Sequence, residues 1–227
     1  MPSSTFRRSA WRVCATVVGL ALCGCAVASQ STRVPYEPID EASAEPALFA
    51  TRAAVLDALL HSDRDALSRW LGAQVNGSDG GRDILIDMLA KGAEYASALT
   101  EVLTHGGAFM GPGRTKFCAP YWAARPPSVS SPPEHLVFEG LPWAVIVPQS
   151  VVRARPDASA PEIGRLSLEL VQVFFAEEAD PEGRFVQITF GRTRAFVERS
   201  DVREIEGAKP ACFDLVDGAW RLTTFTF

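Results

Sequence analysis

Leu141-Pro142-Trp143-Ala144-Val145-Ile146-Val147 is the stretch at which this chain changes period. Upstream of it the apolar residues fall at helical spacing. Here Trp143, Val145 and Val147 alternate with their neighbours, which is the two-residue period of a half-buried strand. The alternation returns at Val171, Val173 and Phe175, at Phe185 with Gln187, and at Ala195 with Val197. Turn chemistry separates these runs at Pro156-Asp157, at Asp180-Pro181-Glu182-Gly183 and at Gly191. Short strands at such intervals predict a small β-barrel over 141–206.

Working back toward the N-terminus, the pattern from Ser43 to His105 is helical. Leu48, Val55, Leu56, Leu59 and Leu60 share one stripe, and Leu67, Trp70 and Leu71 form a shorter second one. Ser62 with Asp65 three residues later resembles a capping box dividing the two. The run Asn76-Gly77-Ser78-Asp79-Gly80-Gly81 predicts a turn, because its glycines favour conformations that helix interiors do not use. Ile84, Leu85, Met88 and Leu89 follow, then a break at Gly92, then a helix through Leu99, Val102 and Leu103 stopped by Gly106-Gly107. From Gly111 to Pro133 the composition turns to Pro, Gly and Ser, with Phe117, Tyr121 and Trp122 interleaved. Pro126-Pro127 and Pro132-Pro133 argue against helix interiors and central strands, so an ordered connector or surface loop is expected. Its aromatics are read as pinning that loop to the core, with a sugar-stacking platform as the other reading. The segment 43–140 is thus the mainly helical part of an α+β domain carrying a Pro-rich connector.

Beyond the barrel, residues 207–227 predict a two-stranded hairpin: Ala211 to Val216, the pair Asp217-Gly218, then Trp220 to Phe227. Asp-Gly is a preferred type I′ turn. The run Asp217-Gly218-Ala219-Trp220-Arg221-Leu222 followed by alternating Thr and Phe resembles the closing strand of SnoaL-like α+β cones. That resemblance implies that the barrel is inserted into an α+β domain, whose last strands return to it after the insertion.

The N-terminus reads as an export signal. Arg7, Arg8 and Arg12 stand before the apolar stretch Val13 to Leu22, whose length suits a secretory core of about 7–15 residues better than a membrane span of about 20. Leu22-Cys23-Gly24-Cys25 resembles a bacterial lipobox. The resemblance implies a signal peptide over 1–24, cleavage before Cys25, diacylation of that cysteine and a lipid-anchored tether over 25–42. With Ala26 rather than Asp next, it implies delivery to the periplasmic face of the outer membrane. The alternatives are a plain signal peptide cut near Ala26-Val27-Ala28 or an uncleaved anchor. The predicted mature chain keeps 19 of the 22 basic residues and all 27 acids, a formal charge of −8. Such a charge offers no footprint for nucleic acid or for anionic lipid. A chain of this length buries roughly 70% of its unfolded surface, enough for one sizeable core or two small ones, and two are expected.

Of the five cysteines, Cys14 and Cys23 leave with the signal and Cys25 takes lipid, so Cys118 and Cys212 remain as a pair. An oxidising periplasm permits a disulfide between them, which would staple the two halves of the α+β domain across the insertion. Two independent buried thiols are the other reading.

Four stretches carry a second likeness. They are Val151-Val152-Arg153-Ala154-Arg155-Pro156-Asp157, Ile163-Gly164-Arg165-Leu166, Phe185-Val186-Gln187-Ile188 and Gly191-Arg192-Thr193-Arg194-Ala195-Phe196-Val197. Together they resemble a bacterial SH3-like domain over about 60 residues, Ala144 to Ile205. Arg153, Pro156, Gly164, Gly191, Thr193 and Val197 match that pattern. Val151 stands where the family has Asn, Arg155 where it has Gly, Phe185 and Phe196 where it has Trp, and Ala195 where it has Gly; Arg194 is an extra residue. The resemblance implies an accessory binding or spacer module in the cell envelope. Arg155, Arg194, Arg153 and Phe196 are the candidate ligand-binding residues, because guanidinium forks suit carboxylates such as those of cell-wall peptides or of an acidic envelope protein; for Arg153 the other reading is that its side chain braces the barrel. Solvated loop charges, some paired with Glu162, Glu169 or Glu198, are the bland alternative. The whole arrangement also resembles proteobacterial proteins in which a Phe-x-Ala-Pro-Tyr segment, here Phe117-Cys118-Ala119-Pro120-Tyr121, precedes such a barrel; this likeness implies no activity.

Catalytic constellations are sparse. The three histidines, His61, His105 and His135, show no spacing that puts two zinc ligands on one face. There is no Gly-x-Ser-x-Gly elbow, and Gly111-Pro112-Gly113-Arg114 lacks the strand and helix that a phosphate-cradling loop requires. Glu177-Glu178 and Asp180 read as solvated acids at a hairpin tip. A cell-wall cysteine peptidase would use Cys118 with His105 or His135 as base, but the Asp-Cys-Ser-Gly-like turn typical of such enzymes is missing. The expectation is a protein without catalysis, cofactor or metal that binds a peptidoglycan peptide or an envelope protein. A ligand-free structural spacer and the peptidase are its alternatives.

Overall fold

The computed structural model describes residues 34–76, 81–127, 141–174, 180 and 182–226. Cys25, His135, Phe175, Glu177, Glu178 and the signal and lipobox residues lie outside them. The fold is α+β, with five helices and two sheets among the described residues.

Strand β1 (Val34–Pro35) and a 3₁₀ turn (Glu41–Ala44) lead into α1 (Pro46–Leu60), which starts with proline at a position where no amide donor is needed. Leu48, Val55 and Leu59 face the core as their spacing predicts, whereas Leu60 is 79% exposed. The stripe is narrower than expected because the positions one residue past Leu59 turn to solvent. Helix α2 (Arg64–Trp70) is capped by Asp63, whose carboxylate accepts from the Ala66 amide at 2.9 Å. The expected Ser62–Asp65 box is therefore off by one residue: Ser62 takes φ 54° and ends the preceding turn instead.

Strand β2 (Leu71–Asn76) corrects the helical reading of this stretch: Leu71, expected on the second helical stripe, opens a strand that runs to Asn76. Its parallel pairing with a strand some 150 residues later overrides the local apolar spacing, and sequence periodicity carries no record of such a partner. Helices α3 (Gly81–Lys91) and α4 (Ala93–Thr104) divide at Gly92, as expected, and α4 gives way to Gly106 at φ +69°. Leu85, Ile86 and Leu89 are buried, while Ile84 is on the exposed side.

A second correction falls in the presumed connector. Strand β3 (Ala108–Met110) and strand β4 (Lys116–Ala119) form an antiparallel pair, and α5 (Tyr121–Ala124) follows at once. The glycines of 111–113 make the link between β3 and β4, and the proline pairs come only after α5, so they leave β4 free to sit inside a sheet.

The second sheet comprises β5 (Leu141–Val145), β6 (Ser150–Arg153), β7 (Glu162–Leu166), β8 (Glu169–Phe174), β9 (Phe185–Phe190), β10 (Thr193–Glu198) and β11 (Val202–Glu204). Their order is β11-β5-β8-β9-β10-β6-β7, with β1 added to β8, and every pairing is antiparallel. The expected barrel does not close: among the described residues the ladders form an open path ending at β11 and β7. Trp143, Val145, Val173, Ala195 and Val197 point into its core, as the alternation predicts. On β9 the phase is opposite to expectation. Val186 and Ile188 face the core, and Phe185 with Gln187 takes the outer face. Phe185 misleads because it is itself buried, on the other side of the sheet.

Strands β12 (Ala211–Val216) and β13 (Ala219–Phe225) form the expected hairpin, with Asp217 and Gly218 at φ 50° and 76°, both positive as a type I′ turn requires. They complete the five-stranded sheet β2-β13-β12-β4-β3. Phe117, Ala119, Ala211, Phe213 and Leu222 pack against α1 to α4 on one face. On the other face Cys118 and Cys212, directly opposite in register, form a disulfide beside Ala108 and Ala124.

Residues 34–45 run as a strap over both sheets. Tyr36 donates its amide to the Leu168 carbonyl at 2.7 Å and its hydroxyl to the Arg125 carbonyl at 2.8 Å, and its ring lies 5.2 Å from that of Tyr121. Asp40 accepts both forks of Arg52, at 2.8 and 2.6 Å, and its backbone bridges to Gly107. Gly107 must be glycine, since a Cβ there would lie 2.3 Å from the Cys118 carbonyl oxygen. Near this junction Arg203 pairs with Glu101 of α4, and the His105 ring packs tilted against Trp122, their centres 5.1 Å apart.

Candidate functional site

The four candidate binding residues fall on or beside one ladder. Phe196 on β10 is opposite Arg153 on β6 and opposite Gln187 on β9. Ala195 and Val197 point into the core, so Phe196, like Arg194 two positions before it, projects from the outer face. Arg155 follows Arg153 by two positions. Because the strands are antiparallel, Arg194 and Arg155 both leave the Phe196–Arg153 pair toward the same end.

Their environments differ. Phe196 is buried, and so its ring is packed within the module. Arg153 donates Nη1–H to the Ala160 carbonyl at 2.8 Å, bracing the loop that follows β6. That loop is stiffened further at Asp157. Its carboxylate accepts from the Ser159 amide at 2.8 Å and from the Ser159 hydroxyl at 2.9 Å, and these bonds, with Arg155 and Arg153 nearby, hold it below the usual carboxylate range. Arg155 and Arg194 are exposed and form no ion pair among the described residues. Arg165, by contrast, is engaged by Glu162 through two bonds of 2.8 and 2.9 Å.

Beside this face lies a cleft of about 600 Å³ between the loop at Ala158 and the side chains of Arg184, Phe185, Glu198, Arg199 and Arg203. No local pattern pointed to it, since residues from separate strands and loops meet there. Its arginines are occupied. Arg184 pairs with Glu182 at 2.9 Å, Arg199 donates Nε–H to the Gly183 carbonyl at 3.0 Å, and Arg203 pairs with Glu101. Arg155 and Arg194, at the adjoining end of the module, form no such bond or ion pair among the described residues.

The groups of the peptidase reading are arranged otherwise. Cys118 is buried and bonded to Cys212, so its sulfur carries no thiol. His105 is held below its usual pKa by burial first and by Arg203 second, against an opposing pull from Glu101. His61 is exposed beside Asp57 at 3.3 Å. Among the described residues no three His, Cys, Asp or Glu side chains converge as a metal site would require, and no helix is long and apolar enough to cross a membrane. The chain matches no protein-family model, no curated protein and no solved structure.

Proposed function

We propose that this is a lipid-anchored envelope protein that binds a carboxylate-bearing ligand without catalysis, through an SH3-like module inserted into an α+β domain. The ligand is a peptidoglycan peptide or an acidic segment of an envelope protein, and the anchor is Cys25 in the periplasmic leaflet of the outer membrane. One observation carries the binding reading: Arg194 on β10 and Arg155 in the loop after β6 stand exposed at the same end of the Phe196–Arg153 pair, with no ion pair among the described residues, in a chain whose predicted mature charge is −8. Two exposed guanidinium forks, one on a braced loop and one on a strand, suit bidentate contact with carboxylates. The insertion is supported by the sheet order, because β12 returns to β4 after the whole of 141–204 has formed its own sheet. The bonded state of Cys118 supports a role without a nucleophile.

The test is capture of peptidoglycan fragments and envelope extract by the full chain and by Arg155→Ala/Arg194→Ala. Loss of both contacts is expected to weaken capture by about tenfold or more, on the order of 1.4 kcal/mol. Thermal stability should barely change, since both side chains are exposed and the field of Arg155 on the equally exposed Asp157 is screened by solvent. Unchanged capture, or none by wild type, would leave the module as a spacer.

A further inference from the structure

A second cluster of guanidiniums lies on the helical half of the molecule. A cleft of about 670 Å³ opens where the end of α2, the first turn of α3 and strand β13 meet, lined among others by Ser68, Arg69, Arg82, Asp83 and Arg221. We propose that this cleft binds a phosphate monoester. Three guanidiniums face one carboxylate, so the lining carries a formal charge of +2 in a chain whose formal net charge is −5.

The three arginines are prepared in different ways. Arg82 is tied back, its Nη2 donating to the Ser68 hydroxyl at 3.0 Å and its Nη1 to Asp83 at 3.2 Å. Its Nε–H is buried and has no partner among the described residues. A buried donor left unpaired is unfavourable, and a small shift of the Arg82 side chain toward the cleft would let an oxyanion accept from it. Arg221 donates Nη1–H to the Trp220 carbonyl at 3.1 Å, and its guanidinium lies 5.8 Å from the centre of the Trp70 ring, leaving the rest of the fork available. Arg69 is exposed and engages no acid among the described residues. The first turn of α3 adds the positive end of an 11-residue helix. A carboxylate would cancel only half of the excess charge. A phosphate monoester carries about −1.5 to −2 at neutral pH and offers three acceptor oxygens, which matches both the charge and the number of guanidiniums.

Such a group could be free in solution or displayed on a lipid headgroup. Isothermal titration of the full chain in detergent with inorganic phosphate and with glycerol 3-phosphate, against sodium chloride at equal ionic strength, reads the first source. Flotation with phosphatidylcholine vesicles, with and without phosphatidic acid, reads the second; a lipid anchor on the chain contributes equally to both vesicle types. Binding in either arm that Arg69→Gln/Arg221→Gln weakens at least tenfold supports the site, and the arm that responds names the source. Arg82→Gln should abolish binding, but it also removes the tie to Ser68. The double variant and Arg69→Gln alone, at an exposed position, therefore carry the test. No binding in either arm, or binding that these variants leave unchanged, overturns the proposal.

Discussion

His105 shows how a single side chain can sense both halves of the molecule. It follows α4, packs against Trp122 beyond β4, and lies in the field of the Arg203–Glu101 pair, which links α4 to β11. Burial and Arg203 favour its neutral form over the charged one, so its folded pKa is below its ordinary value near 6.5. As pH falls below about 6.5 the unfolded chain takes up a proton that the folded chain resists. The stability present above that pH is lost progressively until the folded pKa is passed. His105→Phe keeps an aromatic ring against Trp122 and removes the titration. The drop in urea midpoint between pH 7 and pH 5 should therefore be smaller in the variant than in wild type; equal drops would show that His105 is not the group responsible. At this scale the sequence was legible in part. The excess of arginine around β6 and β10 could be read directly, and Arg155 and Arg194 are exposed. So could the bracing role of Arg153, which its bond to the Ala160 carbonyl bears out; the burial of Phe196 could not. Ala195, Phe196 and Val197 are all buried, and a two-residue period cannot assign faces where both sides of a strand are covered.

The same limit operates on whole elements. The Asp217-Gly218 hairpin was legible because its turn requires two positive φ values and the sequence supplies residues that tolerate them. Gly164 was legible as a motif, and the structure gives its reason: a Cβ there would meet the Phe190 ring at 2.4 Å. Strands β2 and β4 were not legible, because each is specified by a distant partner and flanked by residues that mimic helix or loop. The disulfide between β4 and β12 ties this long-range pairing into the chain. Its cysteines are separated by 94 positions, and a loop of that length gives a nominal stabilisation of about 4–5 kcal/mol in the chain-entropy model, often less in practice. Cys118→Ala/Cys212→Ala should lower the denaturant midpoint accordingly while the helical signal survives under native conditions. A midpoint equal to that of the wild type, or two alkylatable thiols in protein from an oxidising compartment, would contradict the pairing.

At the scale of the molecule, two sheets with separate cores are joined by the strap of residues 34–45, and the two expected cores are present. The α+β class could be read from the change of period at Leu141, whereas the open order of the eight strands depends on pairings that no local pattern encodes. The strap also gives the proposed anchor a geometric consequence. Between Cys25 and Val34 lie only the residues 26–33, and at about 3.3–3.6 Å per extended residue they reach at most roughly 30 Å. Since Val34 and Pro35 are paired with β8, an acyl chain on Cys25 would hold the second sheet close to the bilayer and would limit any ligand to what comes within reach of that surface. The anchor is therefore the premise to test first. Cys25→Ser should abolish incorporation of labelled palmitate and move the protein from the membrane fraction to an unprocessed or soluble form. Equal labelling of the variant and the wild type would refute lipidation at Cys25, and with it the confinement of the binding face to the membrane surface.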